Sequence, residues 1–348
     1  MCDAARDHEH GRFLMSEQAQ PVVGSEPGRR EIVAAAQRAP SNAGFFSSAK
    51  RMTLPLGPAS DPDGVRGYPI DFRVKAQSAP WPPAGFSSPS DDYVNVAQYG
   101  LGCYERWLAD EGEAWLQAAL DVGQFLVASQ EPDGSWLMRQ PFRHTMPLKA
   151  PWRCGMAQGE GASLLVRLYL ESGQETFAET ARRALAPLSR PSDQGGTCAW
   201  LDGAPWPEEY PTSPASFVLN GAIFAWWGMR DVGVGLGDRD ASDAFELGVD
   251  TLAANLHRFD TGWWTLYGLY PHPIPMVASS FYHVLHITQL EAMHKLAPRQ
   301  ELESVRERWI GYLDSAPLRW RAFAAKVLFR LIVPRNRLLG ERLPWIRS

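Results

Sequence analysis

The sequence lacks the short motifs that mark the commonest cofactor sites and catalytic nucleophiles. No GxGxxG, P-loop, GxSxG or HExxH stretch occurs in its 348 residues, so nucleotide binding, serine hydrolysis and zinc-peptidase chemistry have no support from motifs. Its histidines, cysteines and carboxylates show no spacing diagnostic of a metal site. We therefore expect a protein that works without a cofactor or metal ion and does not bind nucleic acid.

Cysteine is also scarce. Cys2, Cys103, Cys154 and Cys198 are widely spaced and form no CxxC pair, which fits a reducing compartment. The polar start of the chain shows no apolar segment behind basic residues, and no apolar run is long enough to span a bilayer. These absences favour a cytoplasmic protein, and the basic C-terminal segment described below would allow it to attach to the inner membrane face.

Tryptophan, in contrast, is abundant, with 14 copies. An excess of Trp and Tyr suits a cleft in which flat, amphipathic ligands such as sugar rings stack. The alternative is that these side chains fill a large helical core. Composition alone does not choose between the two.

Charge is distributed unevenly along the chain. From Ala316 to the end, eight Lys and Arg residues face one acid, Glu341; the whole chain carries −5 and this segment +7, which leaves −12 for the rest. Within residues 317–333 the apolar and basic residues occupy different faces of a predicted helix. A basic amphipathic helix is typical of a segment that lies on an anionic membrane, although a last helix packed on a bundle with a solvated basic face shows the same pattern. The apolar positions are Trp320, Phe323, Ala324, Val327, Leu328 and Leu331, and the basic ones are Arg319, Lys326 and Arg330.

Composition divides the chain into four parts. Residues 1–64 are rich in Ala, Pro, Ser, Gly and charge, and we expect this arm to be disordered. Residues 65–90 hold a predicted strand between Val65 and Ala76 and a proline-rich linker. Residues 91–315 show helical apolar spacing, and residues 316–348 form the basic helix and tail. The predicted helices of the third part span 94–109, 113–129, 157–172, 175–188, 213–230, 241–258, 280–296 and 300–313.

An internal echo indicates repeated helical hairpins. Trp136, Trp200 and Trp264 lie 64 residues apart, each behind a predicted helix and a glycine turn. We therefore predict a mainly α fold, an incomplete (α/α) toroid of helical hairpins with a short N-terminal β segment. Loops at one end of such a toroid would form a cleft of carbohydrate size.

The turn before the predicted helix 213–230 carries two carboxylates and a phenol, Glu208, Glu209 and Tyr210. Tyr210 precedes Pro211, which disfavours helical backbone there, so the three side chains are expected at a helix entrance, where the macrodipole favours negative charge. We predict Tyr210 as the reactive group with Glu209 as its polariser or hydrogen-bond partner. Glu208 is expected to support the loop or face solvent.

Two more tyrosines, Tyr267 and Tyr282, stand with Tyr210 in polar or Gly/Pro-rich loop settings. A phenol with a pKa of about 10 is a poor base at neutral pH and needs a second phenol, a cation or a helix end to stabilise its phenolate. A tyrosine cluster would supply this. The alternative is that each phenol hydroxyl simply bonds to backbone.

Further candidates for substrate binding lie on two predicted helix starts. His283 and His286, spaced i, i+3, share a face, and we expect them to bond to substrate or to the tyrosines, not to a metal. In the stretch from Arg153 to Glu160, Gln158 and Glu160 would bind sugar hydroxyls and Arg153 a carboxylate. Alternatively, the glycines of this stretch serve helix packing.

Five blocks, taken together and in order, resemble the C-terminal catalytic region of D-glucuronyl C5-epimerases over about residues 65–315. The block from Glu208 to Gly221 is long and specific, and the others are weaker singly. The other blocks are Gln98-Tyr-Gly-Leu, Gly155-Met-Ala-Gln-Gly-Glu, Asp260-Thr-Gly with Thr265-Leu-Tyr, and Tyr282-His with His286-Ile-Thr-Gln-Leu. Tyr99 and Asn220, which lie within these blocks, join the candidate substrate-binding residues.

The resemblance implies an (α/α) toroid-like domain that reversibly inverts C5 of a hexuronic acid residue of the D-glucuronate/L-iduronate type in a glycan. The three active-site tyrosines of the family carry over to Tyr210, Tyr267 and Tyr282. The C5 proton lies α to a carboxylate, so one group removes it and another returns a proton on the opposite face. The expected partner is a uronic-acid-containing polysaccharide or a lipid-linked glycan. The oligomeric state stays open, a dimer included.

The chain departs from the animal enzymes after Tyr267. There Gly268-Leu-Tyr-Pro-His-Pro replaces a stretch that in those enzymes helps to hold substrate, so a carboxylate clamp would have to come from Arg153, Arg167 or His283, or be missing. Two other functions remain open. A polysaccharide lyase would abstract the same proton and then eliminate the C4 substituent, and a non-catalytic glycan-binding protein would keep only the fold.

Overall fold

The computed structural model describes residues 64–83, 92–142, 145–146 and 148–334. The predicted disordered arm lies outside these residues except for Gly64, as do part of the proline-rich linker and the tail beyond Pro334. Within the described residues the fold is mainly helical, as predicted, and its strands form two small antiparallel pairs. The pairs are β1 (Leu137–Met138) with β2 (Trp152–Arg153), and β3 (Cys198–Leu201) with β4 (Ala204–Pro207).

Ten α-helices lie in the part of the chain that the structure describes. They are α1 (Tyr93–Leu108), α2 (Glu113–Ser129), α3 (Gly155–Ser172), α4 (Glu175–Ala184), α5 (Ala186–Ser189), α6 (Leu219–Leu236), α7 (Arg239–Asn255), α8 (Ser280–Leu296), α9 (Gln300–Asp314) and α10 (Ala316–Ile332). Side-chain caps begin α1, α7 and α8, where Asp92, Asp238 and Ser279 accept backbone N–H groups.

The long helices pack as four consecutive hairpins, α1 with α2, α3 with α4, α6 with α7, and α8 with α9. The first helices of these hairpins also pack side by side, in the order α1, α3, α6, α8. Helices α3 and α6 are apolar and buried around most of their circumference, which is typical of helices enclosed on all sides. The repeated hairpins are thus present, while closure into a partial ring stays a prediction.

Helices α3 and α6 touch through their backbones. A Cβ added to Gly228 would lie 2.4 Å from the Gly159 Cα, and one added to Gly159 would lie 2.5 Å from the Ala225 Cα. No side chain fits in these gaps, so glycine is required at both positions. This contact fixes the two helices that carry Glu160 and Asn220.

The strand predicted between Val65 and Ala76 is wrong. The described residues 64–83 contain bends and turns and no strand, because their backbone groups bond to helix side chains instead of a partner strand. Glu105 accepts the Phe72 N–H at 2.7 Å, and Arg167 donates to the Gly67 carbonyl at 2.7 Å. Of the apolar side chains that suggested alternation, Val74 is 38% exposed and the others, Tyr68 and Ile70 among them, are buried against the helices.

Two further sequence expectations need correction. Trp136 and Trp264 are fully buried, but Trp200 is 59% exposed. The 64-residue spacing of these tryptophans therefore does not reflect equivalent positions in the core. The fully buried tryptophan in this region is Trp206, on the neighbouring strand. The helix predicted over 213–230 is α6, which begins later, at Leu219. The residues before it form a loop, because a carboxylate binds their N–H groups, as described next.

Candidate active site

Glu208 organises the loop that precedes α6. Its carboxylate accepts the N–H groups of Ser216 at 2.9 Å and Phe217 at 2.7 Å, and also the Ser216 hydroxyl. These bonds hold Phe217 at a φ of 44° and stop α6 from starting earlier. Glu208 is fully buried, so it supports the loop and does not face solvent. Burial raises the pKa of Glu208 to about 7, against the opposing effect of these hydrogen bonds.

Glu209 lies against the first turn of α6. Its Oε2 accepts a hydrogen bond from Asn220 Nδ2 at 3.3 Å, and a Cβ added to Gly221 would lie 2.4 Å from the Glu209 Cβ. Burial raises the pKa of Glu209 to about 7, although hydrogen bonds from Tyr210 and Asn220 favour its charged form. The side chain is therefore a buried carboxylate that exchanges a proton near neutral pH.

The three predicted tyrosines come together beside Glu209. The Tyr210 hydroxyl lies within hydrogen-bonding reach of the Glu209 carboxylate, and the Tyr267 hydroxyl lies within reach of those of Tyr210 and Tyr282. The rings of Tyr267 and Tyr282 meet edge to face, with centroids 4.8 Å apart. The result is a continuous chain of proton donors and acceptors that we call the tyrosine chain: Glu209, Tyr210, Tyr267 and Tyr282.

The surroundings disfavour phenolates within this chain. Burial, followed by the charge of Glu209, raises the pKa of Tyr210 and of Tyr267 well above its ordinary value. Neither phenol can therefore act as a base alone at neutral pH. A phenol that passes its own proton to Glu209 while it receives another can do so, because the proton then rests on a group with a pKa of about 7.

Backbone hydrogen bonds hold the segments that carry the tyrosine chain. The Leu219 N–H donates to the Tyr267 carbonyl at 3.2 Å, and the Tyr267 N–H donates to the Met276 carbonyl at 2.9 Å. Tyr282 occupies the first turn of α8, where Ser279 caps its N–H. Glu208 in turn is bound through its own backbone to Gly155 and Thr197. Helix starts and loops, not helix interiors, thus hold the tyrosine chain.

An aromatic wall that the sequence did not single out lies beside Tyr210. The ring of Phe142 stacks on Tyr210 with centroids 4.3 Å apart and planes 10° from parallel, and Trp152 lies 5.9 Å from Tyr210. All three side chains are half-buried, so each leaves part of its surface to a ligand. Such a wall suits the apolar face of a sugar ring. The excess of tryptophan indicated such a surface but not which tryptophan forms it.

Gln158, Glu160 and Tyr99 are buried within the helical core. Gln158 accepts the Trp136 N–H at 2.8 Å and donates to the carbonyls of Gly134 and Ala184. The Tyr99 hydroxyl donates to the Ser78 carbonyl at 2.7 Å. These bonds account for both side chains without a substrate, and their role in binding stays a prediction.

Glu160 differs from its buried neighbours. One carboxylate oxygen accepts from Gln98 at 3.0 Å, and the other has no hydrogen-bond partner among the described residues. Burial raises its pKa well above the ordinary value, and the charge of Glu209 adds to the effect. Burial therefore favours the neutral form of Glu160.

The residues predicted as cationic partners are occupied elsewhere. Arg153 pairs with Asp133 at 2.7 Å, and the fully buried Arg167 pairs with Asp231 at 2.6 Å. His283 is also buried, and its ring stacks on that of Trp264 with centroids 3.7 Å apart. These contacts do not involve the tyrosine chain.

His283 and His286 share one hydroxyl in the interior. His283 Nε2 lies 3.1 Å from the Trp309 carbonyl, which assigns the proton to that nitrogen, so Nδ1 accepts from the Thr265 hydroxyl at 3.0 Å. The Thr265 oxygen in turn accepts from His286 Nδ1 at 3.2 Å. Burial lowers the pKa of His283 to about 3 and that of His286 well below its ordinary value. Both rings are neutral, and among described residues no cluster of His, Cys and carboxylates could hold a metal ion.

Known proteins match the region that carries this site. The profile of a family described as the D-glucuronyl C5-epimerase C-terminus matches residues 130–311. A D-glucuronyl C5-epimerase of Caenorhabditis elegans is 31% identical over 209 residues, which cover 55% of this chain and 34% of that protein. An uncharacterised protein of Methanocaldococcus jannaschii is 26% identical over 216 residues, 56% of this chain and 69% of that protein. The matched part of the chain thus spans about a third of the worm enzyme's length.

Proposed function

The chain belongs to the D-glucuronyl C5-epimerase C-terminal family, and we propose that it inverts C5 of hexuronic acid residues of the D-glucuronate/L-iduronate type in a glycan. The observation that carries the proposal is the tyrosine chain, in which successive members lie within hydrogen-bonding reach: Glu209, Tyr210, Tyr267 and Tyr282. The aromatic wall of Phe142, Trp152 and Tyr210 supplies a surface for the sugar ring beside it.

The first half of the proposed reaction is proton removal. The C5–H bond breaks, its electron pair enters the adjacent carboxylate as an enediolate, and the proton passes to the Tyr210 oxygen. Tyr210 at the same time gives its own proton to Glu209, whose pKa of about 7 makes it the resting place of the proton. Tyr210 touches the substrate, and Glu209 sets its basicity.

The second half returns a proton on the other face of C5. Tyr267 or Tyr282 donates its hydroxyl proton, the C5–H bond forms with inverted configuration, and a phenolate is left. Because the hydroxyls of Tyr267 and Tyr210 lie within hydrogen-bonding reach, the proton held on Glu209 can move along the tyrosine chain and restore that phenol. The site then returns to its starting state with no external acid or base.

The uronate carboxylate also needs a cation to stabilise the enediolate. Helix α10 brings two cations towards the site: Lys326 Nζ and Arg330 Cζ lie 5.7 and 5.8 Å from the ring centre of Phe329. Phe329 packs in the same buried cluster as Tyr267. We include Arg330 in the proposal as the partner of the substrate carboxylate, in the place that sequence analysis gave to Arg153.

The proposed substrate is a uronic-acid-containing polysaccharide or a lipid-linked glycan. The fold proposed to receive it is an incomplete (α/α) toroid. Four successive hairpins with their first helices side by side support this arrangement, and the loops before α6 and α8 place the tyrosine chain at one end of those helices.

Incubation with uronate-containing glycans in heavy water tests the proposal. Deuterium at C5 without chain cleavage is the expected result, because the returned proton exchanges with solvent along the tyrosine chain. An unsaturated uronate would instead identify a lyase, in which loss of the C4 substituent follows the same proton removal. Binding without either product would identify a glycan-binding protein, and the absence of all three across a broad glycan panel contradicts the proposal.

A further inference from the structure

Helix α10 turns an apolar side outward. Its fully buried positions, Ala322 and Phe329, lie on one narrow side, while large apolar side chains on the opposite side are exposed. These side chains recur at spacings of three or four residues and so form one stripe along the helix. This outer stripe consists of Trp320 (61% exposed), Ala324, Leu328 (52%), Leu331 (75%) and Ile332.

This orientation reverses that of an ordinary surface helix, which packs its apolar stripe on the core and exposes its polar side. In α10, Arg319 donates to the Leu313 carbonyl at 2.6 Å, and Lys326 donates to the Val277 carbonyl at 2.7 Å. Arg321 lies 4.2 Å over the ring of Trp263. The basic residues therefore bind α10 to the protein along its flanks and do not form a solvated basic face.

Charge decides which partner fits the outer stripe. Helix α10 carries Arg319, Arg321, Lys326 and Arg330 and no acidic residue. A second copy of the chain would bring two such cationic helices together and repel them. An anionic lipid surface attracts these cations. The same surface repels the rest of the protein, because residues 1–315 carry a net charge of −12.

We propose that α10 docks the protein onto an anionic lipid bilayer through the outer stripe. Trp320 and the three large aliphatic side chains enter the boundary between headgroups and acyl chains, while the net positive charge of α10 attracts the anionic headgroups. No helix in the described ranges is long and apolar enough to cross a bilayer. Helix α10 lies beyond the residues that the family profile matches, 130–311, so this surface is a feature of this chain outside the shared catalytic region.

Docking through this helix would place the tyrosine chain close to the lipid. Phe329, on the inner side of α10, belongs to the buried cluster that holds Tyr267 and Met276. A helix is about 10 Å across, so the site would stand roughly that far from the headgroups. This consequence, unlike the docking itself, rests on the proposed function, because it favours a glycan that is itself attached to the membrane.

Vesicle flotation with the full chain tests the docking surface. Vesicles of phosphatidylcholine mixed with phosphatidylglycerol should carry the protein, and vesicles of phosphatidylcholine alone should carry much less. The double variant Leu328→Glu/Leu331→Glu should bind about tenfold less or weaker still, because two apolar side chains become charged at the lipid boundary. High salt should also weaken binding of the unaltered protein.

Leu170→Glu/Leu247→Glu is the matched control, since these leucines are exposed to a similar degree on α3 and α7. It should bind vesicles like the unaltered protein, and both variants should keep its unfolding midpoint. Equal binding by the α10 variant, or binding that ignores lipid charge, overturns the proposal. A dimer of the unaltered protein that the α10 variant dissociates also overturns the proposal, because the outer stripe then contacts a second copy. Vesicle binding that appears only after residues 1–63 or 335–348 are removed overturns it too, because the stripe is then covered by the chain itself.

Discussion

The side chain of Asn220 donates a hydrogen bond to the Glu209 carboxylate across 3.3 Å from the first turn of α6. The bond favours the charged form of a carboxylate that burial drives towards its neutral form, and the two effects leave its pKa at about 7. Asn220, a residue without ionisable groups, thereby adjusts the protonation of the tyrosine chain.

Replacement of Glu209 by Gln should abolish the pH dependence of catalysis together with most of the rate. The proposed reaction needs Glu209 ionised, so the C5 exchange rate of the unaltered protein should rise as pH increases through about 7 and then level off. Glu209→Gln should lower the rate about 100-fold or more. Exchange measured by mass spectrometry across pH checks this, and a variant with the original profile would remove Glu209 from the mechanism.

Asn220→Ala should move the same pH profile to higher pH. Loss of the hydrogen bond to the charged form raises the pKa of Glu209 further, while the rate well above the midpoint should fall less than in Glu209→Gln. If Asn220 had only a structural role, its loss would lower the rate by the same factor at every pH and leave the midpoint unchanged. An unmoved midpoint is therefore the outcome that rejects a role for Asn220 in setting this pKa.

Tyr210→Phe and Tyr267→Phe should each stop C5 exchange while glycan binding survives. Each change removes one hydroxyl and breaks the tyrosine chain, so we expect losses of about 100-fold or more. Tyr169→Phe is the control, because the Tyr169 hydroxyl bonds only to the exposed Glu175 in the described contacts. Equal rates for Tyr210→Phe and the control would show that the tyrosine chain has no catalytic role.

Trp152→Ala should raise KM about tenfold with a smaller effect on kcat. Trp152 belongs to the aromatic wall, and loss of a ring that stacks on a sugar removes about 1 kcal/mol or somewhat more. Trp200→Ala is the matched control, because Trp200 is exposed but lies on β3, outside the wall. Initial-rate kinetics separate the two, and an identical KM in both variants argues against the wall.

Folding stability should fall as pH rises from about 5 to about 8. Glu208 holds its proton more tightly in the folded state, with a pKa of about 7 against an ordinary 4.5, so the cost of ionising it is absent below 4.5 and complete above 7. Glu208→Gln should remove about 3 kcal/mol of this loss. Glu303→Gln should not, because the pKa of that carboxyl is lowered by Arg306. Urea unfolding at both pH values measures the difference.

The sequence predicted the helices well because their apolar residues recur with the helical period, and α2 and α8 begin and end where the spacing placed them. It misplaced the start of α6 because the three hydrogen bonds to Glu208 depend on contacts that no periodicity reveals. The strand at 65–76 failed for a related reason: apolar alternation does not show that a backbone bonds to Glu105 and Arg167 instead of another strand.

The site residues, like the helices, could be predicted only in part. The resemblance selected Tyr210, Tyr267 and Tyr282, and the structure brings them together. The i, i+3 spacing of His283 and His286 showed a shared face, but not that this face points into the interior against Trp264 and Thr265. Burial depends on which helices meet, and a single sequence carries that information only indirectly.

The backbone contact between Gly159 and Gly228 limits how α3 and α6 can move relative to each other. Because no side chains lie between the helices at this contact, none can repack there to let them separate. A larger side chain at either position would force apart the start of α3, where the Gly155 N–H binds the Glu208 carbonyl, and Asn220 of α6, which binds Glu209. A change remote from the tyrosine chain would therefore disturb the carboxylate at its end.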